Sequence, residues 1–85
     1  MRSFAHVIKD SQGLHARSCV ILSREASKWA SKITVRLEDK VADARSMSSL
    51  LALHATHGDG LSVTCTGSDE AEAASALQAL MRMSI

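Results

Sequence analysis

Residues Gly13–Val20 read "GLHARSCV", and the fold turns on whether a helix begins inside them. Upstream lies Asp10–Gly13, a polar cluster of turn-forming residues. From Ala16 onward, Cys19, Leu22, Ala26 and Trp29 recur at spacings of three and four. Ser23, Arg24, Ser27 and Lys28 fall mostly on the opposite face, and no proline interrupts the run. That periodicity marks an amphipathic helix, so a helix of about three turns is predicted to start beside His15. The first backbone N–H groups of a helix lack intrahelical acceptors and form a patch of partial positive charge, on which an anion can dock.

Working outward, Phe4–Ile8 reads as a short strand closed by the turn cluster Lys9–Gly13. Its facing is ambiguous, because Phe4, His6 and Ile8 or Ala5 and Val7 could point inward. Ile33, Val35 and Leu37 alternate with Thr34 and Arg36 as in a half-buried strand. Glu38–Asp39 is a weak hairpin signal returning the chain through Lys40–Ala44. Ser46 is placed to cap a short helix carrying Met47, Leu50, Leu51 and Leu53. Leu61, Val63 and Cys65 alternate with hydroxyl residues in a further strand. Ser68 or Asp69 can cap the last helix, which buries Ala73, Leu77, Leu80 and Met81. The order is βαββαβα. Alternating strands suit a mostly antiparallel four-stranded sheet with three helices on one face, an α+β open-faced sandwich.

Composition narrows the function classes. Eighty-five residues, 46% hydrophobic and 22% charged, make one ordered domain over 1–85. A net charge of +1 and only two aromatics, Phe4 and Trp29, disfavour a nucleic-acid surface. No apolar stretch reaches membrane-span length, and the opening residues do not resemble a signal peptide, so a cytosolic protein without membrane insertion is expected. Cys19 and Cys65 lack metal-ligand spacing and read as core residues; a thiolate at Cys19, favoured by the nearby helix start, is the other reading. His54 and His57 have no third ligand in evidence, so no metal and no cofactor are expected. A Ser11–His15–Asp10 triad is discounted, since neighbours in sequence rarely form one.

The residues Gly13–Arg17, "GLHAR", between a first strand and a first helix, resemble the active-site signature of the HPr family. These are the histidine-containing phosphocarriers of the bacterial phosphoenolpyruvate-dependent sugar phosphotransferase system. The resemblance runs nearly the whole chain: "ITV" at Ile33–Val35, "ARSM" at Ala44–Met47, "HGD" at His57–Asp59 and "GSDEAEA" at Gly67–Ala73. It implies that His15 accepts a phosphoryl group on Nδ1 from Enzyme I and passes it to sugar-specific IIA domains, with Arg17 neutralising the charge. It also implies phosphate contacts from the backbone of Ala16, Arg17 and Ser18, and docking through Val20, Met47 and Leu51. Ser46 aligns with the serine modified by a bifunctional HPr kinase/phosphorylase. The protein is thus expected to be a monomeric carrier rather than an enzyme.

Physical chemistry suits those roles. An imidazole with an ordinary pKa near 6.5 is substantially neutral and nucleophilic at cellular pH. Arg17 offers a planar fork of donors to phosphate oxygens. A cation at a helix N-terminus is unfavourable on its own, so its position makes sense with an anion. Ser46 is a good N-cap in its own right; phosphate there would gain from the helix end while repelling partners that dock through negative charge. The chain departs from the family where proline and alanine are usual, carrying Ser18 and Cys19. Ser18 could donate to the phosphoryl group or bond locally and reorient His15; the sequence leaves both open. His54 and Asp39 stand where the family often has glycine. Alternative readings are a paralogue in a nitrogen-regulatory or dihydroxyacetone-kinase relay, or a regulatory binding module acting through Ser46.

Overall fold

Four alternating segments zip together through an antiparallel ladder in the computed structural model, which describes residues 1–85. The elements in chain order are β1 (Arg2–Val7), α1 (Ala16–Ala26), β2 (Lys32–Leu37), β3 (Lys40–Asp43), α2 (Met47–Leu51), β4 (Gly60–Thr66) and α3 (Glu70–Ser84). Strand order is β1-β4-β2-β3, every pair antiparallel. The register aligns Phe4, Val63, Val35 and Ala42 across all four strands. Val63, Val35 and Ala42 are buried, and Phe4 packs against them. The neighbouring row, Ala5, Ser62, Arg36 and Val41, is exposed. A pleated strand alternates its faces, so this register puts Phe4, His6 and Ile8 inward and settles the facing of β1.

The helices cover the inward face. Cys19, Leu22 and Ala26 of α1, Leu50 of α2, and Ala73, Leu77 and Met81 of α3 join the strand residues in one buried cluster. Each fully buried leucine contributes roughly 1.5–3 kcal/mol. α1 ends earlier than its apolar spacing suggests: Lys28 and Trp29 bond to the carbonyls of Glu25 and Ala26, an i→i−3 tightening that stops the helix. Trp29 lies beyond the helix, half-buried, its indole donating to Glu25 Oε2 at 3.2 Å.

Other local expectations are revised by tertiary contacts. Asp69 occupies the N-cap position of α3 without capping it. Its carboxylate instead accepts from the Ala30 and Ser31 amides at 2.9 Å each and from Ser31 Oγ at 2.5 Å. Three donors across the fold outbid one orphan amide of its own helix. In the β2–β3 turn the left-handed residue is Glu38 (φ 56°), not Asp39. His54 does take a left-handed conformation (φ 52°) after α2, at a cost of roughly 1–2 kcal/mol. Cys19 and Cys65 are free and fully buried, and burial pushes both thiols up in pKa. This overturns the thiolate reading of Cys19. No helix is long and apolar enough to cross a membrane.

Candidate functional site

The loop between β1 and α1 is shaped by Gly13. Its amide donates to the Asp10 carbonyl at 2.9 Å, closing a turn, and its φ of +70° is in the region L-residues avoid. A Cβ at Gly13 would stand 2.5 Å from the Ala55 carbonyl oxygen and 2.7 Å from Thr56 Cα. The loop therefore lies directly on the α2–β4 connection, and the adjacent Leu14 amide bonds the same Ala55 carbonyl at 3.0 Å. Leu14 is buried there, which fixes the residue that follows it.

That residue, His15, is the N-cap of α1, with extended backbone (φ −110°, ψ 176°). Its side chain is 28% exposed, open enough to be reached and covered enough to be oriented. Ser18 Oγ accepts from the His15 amide at 3.0 Å and donates to the His15 carbonyl at the same distance. Ser18 is itself buried. Of the two roles left open for its hydroxyl, the structure shows the local one, a reaching-back bond of the capping-box type. The Ser18 amide faces the His15 ring across the first turn. Among the three amides named for phosphate contact, those of exposed Ala16 and Arg17 are consequently the more open.

Arg17 is exposed and forms neither an ion pair nor a side-chain hydrogen bond. It shares with His15 an open cleft of about 380 Å³, which Asp10, Gln12, Ser18 and Ile21 also line and Ser84 of α3 borders. Ile21, one turn beyond Arg17, was recoverable from the i, i+4 spacing. Asp10 is the addition that sequence reading discounts. Its Oδ2 lies 3.1 Å from His15 Nε2, while Oδ1 accepts from the Gln12 amide at 2.9 Å. Those two bonds, the amide first, hold the Asp10 carboxyl below the usual carboxylate range, and His57 adds a smaller electrostatic contribution from the α2–β4 loop. The aspartate–histidine half of the discounted triad is thus present; Ser11 takes no part in it. The turn at Gly13 brings Asp10 back against a residue five positions later, a closeness visible only once the loop is folded.

The remaining candidates lie on α1 and α2, which pack against each other. Val20 and Leu51 are half-buried, whereas Met47 is 40% exposed, a large apolar side chain held at the surface. Ser46 is the N-cap of α2, its Oγ accepting from the Ser49 amide at 3.2 Å and lying 3.2 Å from Ser48 Oγ. Arg45 next to it is committed elsewhere, its guanidinium donating to the carbonyls of Trp29 and Ser31.

An accessible histidine at a helix N-terminus beside an unpaired arginine is an arrangement suited to carrying an anion. Comparison with known proteins agrees: the family model for the PTS HPr component phosphorylation site matches residues 3–83. The chain belongs to the PTS HPr family. It is similar to phosphocarrier protein HPr of Mycoplasma genitalium, 37% identical over 82 residues that cover 95% of this chain and 93% of that one. A solved structure of the histidine-containing phosphocarrier protein from Mycoplasma superposes with a TM-score of 0.92 at 31% identity, covering 94% of this chain and 91% of that one. A multiphosphoryl transfer protein of Vibrio cholerae is 42% identical over 76 residues, which cover 86% of this chain but 18% of that protein. As an HPr chain, the molecule is a phosphocarrier of the phosphotransferase system.

Proposed function

We propose that His15 is the residue that carries the phosphoryl group, taking it on Nδ1 from Enzyme I and giving it to IIA domains. The observation that carries this reading is the placement of the His15 imidazole at the N-terminus of α1, in an open cleft shared with the unpaired Arg17. An incoming phosphoryl group meets the partial positive charge of the first helical turn and the Arg17 fork. Both interactions form only when the anion is present. Val20, Met47 and Leu51 offer an apolar contact zone on the neighbouring α1 and α2 surfaces, suited to a partner's docking face. The similarity to one segment of a longer multiphosphoryl transfer protein supports a chain built to exchange phosphoryl groups with other modules.

Ser46 fits a regulatory role beside that path. A phosphate on its Oγ would place about two negative charges next to exposed Met47. With Arg45 tied to the Trp29 and Ser31 carbonyls, that charge would go uncompensated by its neighbour, and an acidic docking partner would be repelled. The deciding experiment incubates the protein with Enzyme I and phosphoenolpyruvate and follows acid-labile phosphate by intact mass. One phosphoryl group is expected on the native protein and none on His15→Ala. Native protein without label, or equal label on the variant, would remove His15 from the reaction. Labelling by the HPr kinase that is lost in Ser46→Ala would support the regulatory reading.

A further inference from the structure

We propose that Asp10 is a positioning residue for His15: its carboxylate keeps the proton on Nε2, leaving Nδ1 as the only ring nitrogen with a lone pair, and offsets the positive charge the ring gains on phosphorylation. This rests on the phosphocarrier reading above. Asp10 Oδ2 stands 3.1 Å from Nε2. A carboxylate only accepts hydrogen bonds, so the ring nitrogen that faces it must be the one that donates. In a neutral imidazole the other nitrogen then holds the lone pair.

The carboxylate is itself fixed. Its second oxygen accepts from the Gln12 amide at 2.9 Å, the Asp10 carbonyl accepts from Gly13 at 2.9 Å, and the Asp10 amide donates to the Ile85 backbone oxygen at 3.1 Å. Asp10 is thus tied to its own turn, to the end of α3 and to the ring. It is the only carboxylate lining the cleft, where Arg17 is the fixed cation. Such anchoring distinguishes it from a chance surface ion pair, whose two long side chains must be ordered at each encounter.

The transfer step balances without moving a proton. The Nδ1 lone pair attacks phosphorus, and an N–P bond forms as the bond from phosphorus to the donor breaks. The electron pair of that bond leaves with the donor. The ring, which began neutral with hydrogen on Nε2, becomes a phosphoimidazolium beside Asp10. In onward transfer the N–P pair returns to Nδ1 and the ring is neutral again. Asp10 stabilises the cationic ring that uptake creates, as the buried aspartate does for the histidine of a hydrolase triad.

The test uses two substitutions and two readouts on the intact protein. Nitrogen-15 imidazole NMR of the unphosphorylated protein reports the tautomer and needs no partner. Initial phosphoryl uptake from Enzyme I and phosphoenolpyruvate reports transfer. The native ring is expected as the Nε2–H tautomer; Asp10→Ala is expected to gain a clear Nδ1–H population and lose about tenfold in uptake, the value of one charge-assisted hydrogen bond. Asp10→Asn, which retains the shape, is expected to fold and to lose a similar factor through the missing charge. A native tautomer in Asp10→Ala, or uptake within twofold of native in a folded Asp10→Asn, overturns the proposal. Failure of the native protein to label at all would instead strike the phosphocarrier reading, and the tautomer measurement would still judge Asp10.

Discussion

Replacing Gly13 with alanine should be among the most damaging single-methyl additions in the molecule, and the glycines supply their own controls. Two costs add at this position. A non-glycine residue at φ +70° loses roughly 1–2 kcal/mol to left-handed strain. The new Cβ would also sit 2.5 Å from the Ala55 carbonyl oxygen and 2.7 Å from Thr56 Cα. Those are backbone atoms that cannot swing aside, and overpacking of this kind costs roughly 1–3 kcal/mol more. The sum is about 2–5 kcal/mol, a large part of the roughly 5–15 kcal/mol that holds a domain folded. Gly58 has φ +89° but open space around its Cβ position, so Gly58→Ala should lose only the first roughly 1–2 kcal/mol. Gly60 lies in β4 with neither a positive φ nor a neighbour, and Gly60→Ala should hold or gain stability by roughly 0.5–1 kcal/mol. Urea unfolding followed by fluorescence of Trp29, the sole tryptophan, measures all three. Gly13→Ala losing no more than Gly58→Ala would refute the close packing of the His15 loop on the α2–β4 connection. A folded Gly13→Ala should also phosphorylate slowly, because relief of the clash shifts the turn that holds Asp10 against His15.

Further predictions concern the cap, the acid limb and the thiols. Ser18→Ala removes the hydroxyl that accepts from the His15 amide; a loss of roughly 0.5–2 kcal/mol is expected, read as a fall in Tm of roughly 4–8 °C per kcal/mol. His6 is buried with Nε2 unpartnered, and burial lowers its pKa from 6.5. The folded protein therefore binds this proton less readily than the unfolded chain. Stability should be full above pH 6.5 and should fall as pH drops through the lowered folded value, and His6→Phe should flatten that slope in urea titrations. Asp69 acts in the same direction at lower pH, its carboxyl held below 3.8 by bonds from Ser31 and Ala30. Asp69→Asn should remove that part of the acid dependence while lowering stability at neutral pH. Cys19 and Cys65 should resist a thiol reagent in the native state and react at the unfolding rate, as expected of fully buried thiols; prompt reaction of either would contradict their place in the core.

Much of the fold could be read along the chain because each element repeats its burial at its own period. Cys19, Leu22 and Ala26 mark α1, Ile33 and Val35 mark β2, and Leu61, Val63 and Cys65 mark β4; the antiparallel sheet with helices on one face then follows from where those faces must meet. His15 and Arg17 were legible for the same reason, being defined by their distance from a helix start. The facing of β1 was not, because Phe4–Ile8 is apolar enough on both sides and only pairing of Phe4 with Val63 chooses between them. Ser68 or Asp69 reads as the cap of α3 because its first amides are near in sequence, yet Asp69 accepts instead from Ala30 and Ser31, which lead into β2, the strand paired with β4. Asp10 is discounted from sequence for a like reason: a polar loop residue meets His15 only when Gly13 turns left-handed and the loop lies on the α2–β4 connection. Periodicity carries the information about which surface is buried. Which polar group meets which depends on distances that close only when separate elements pack, and no local pattern encodes them.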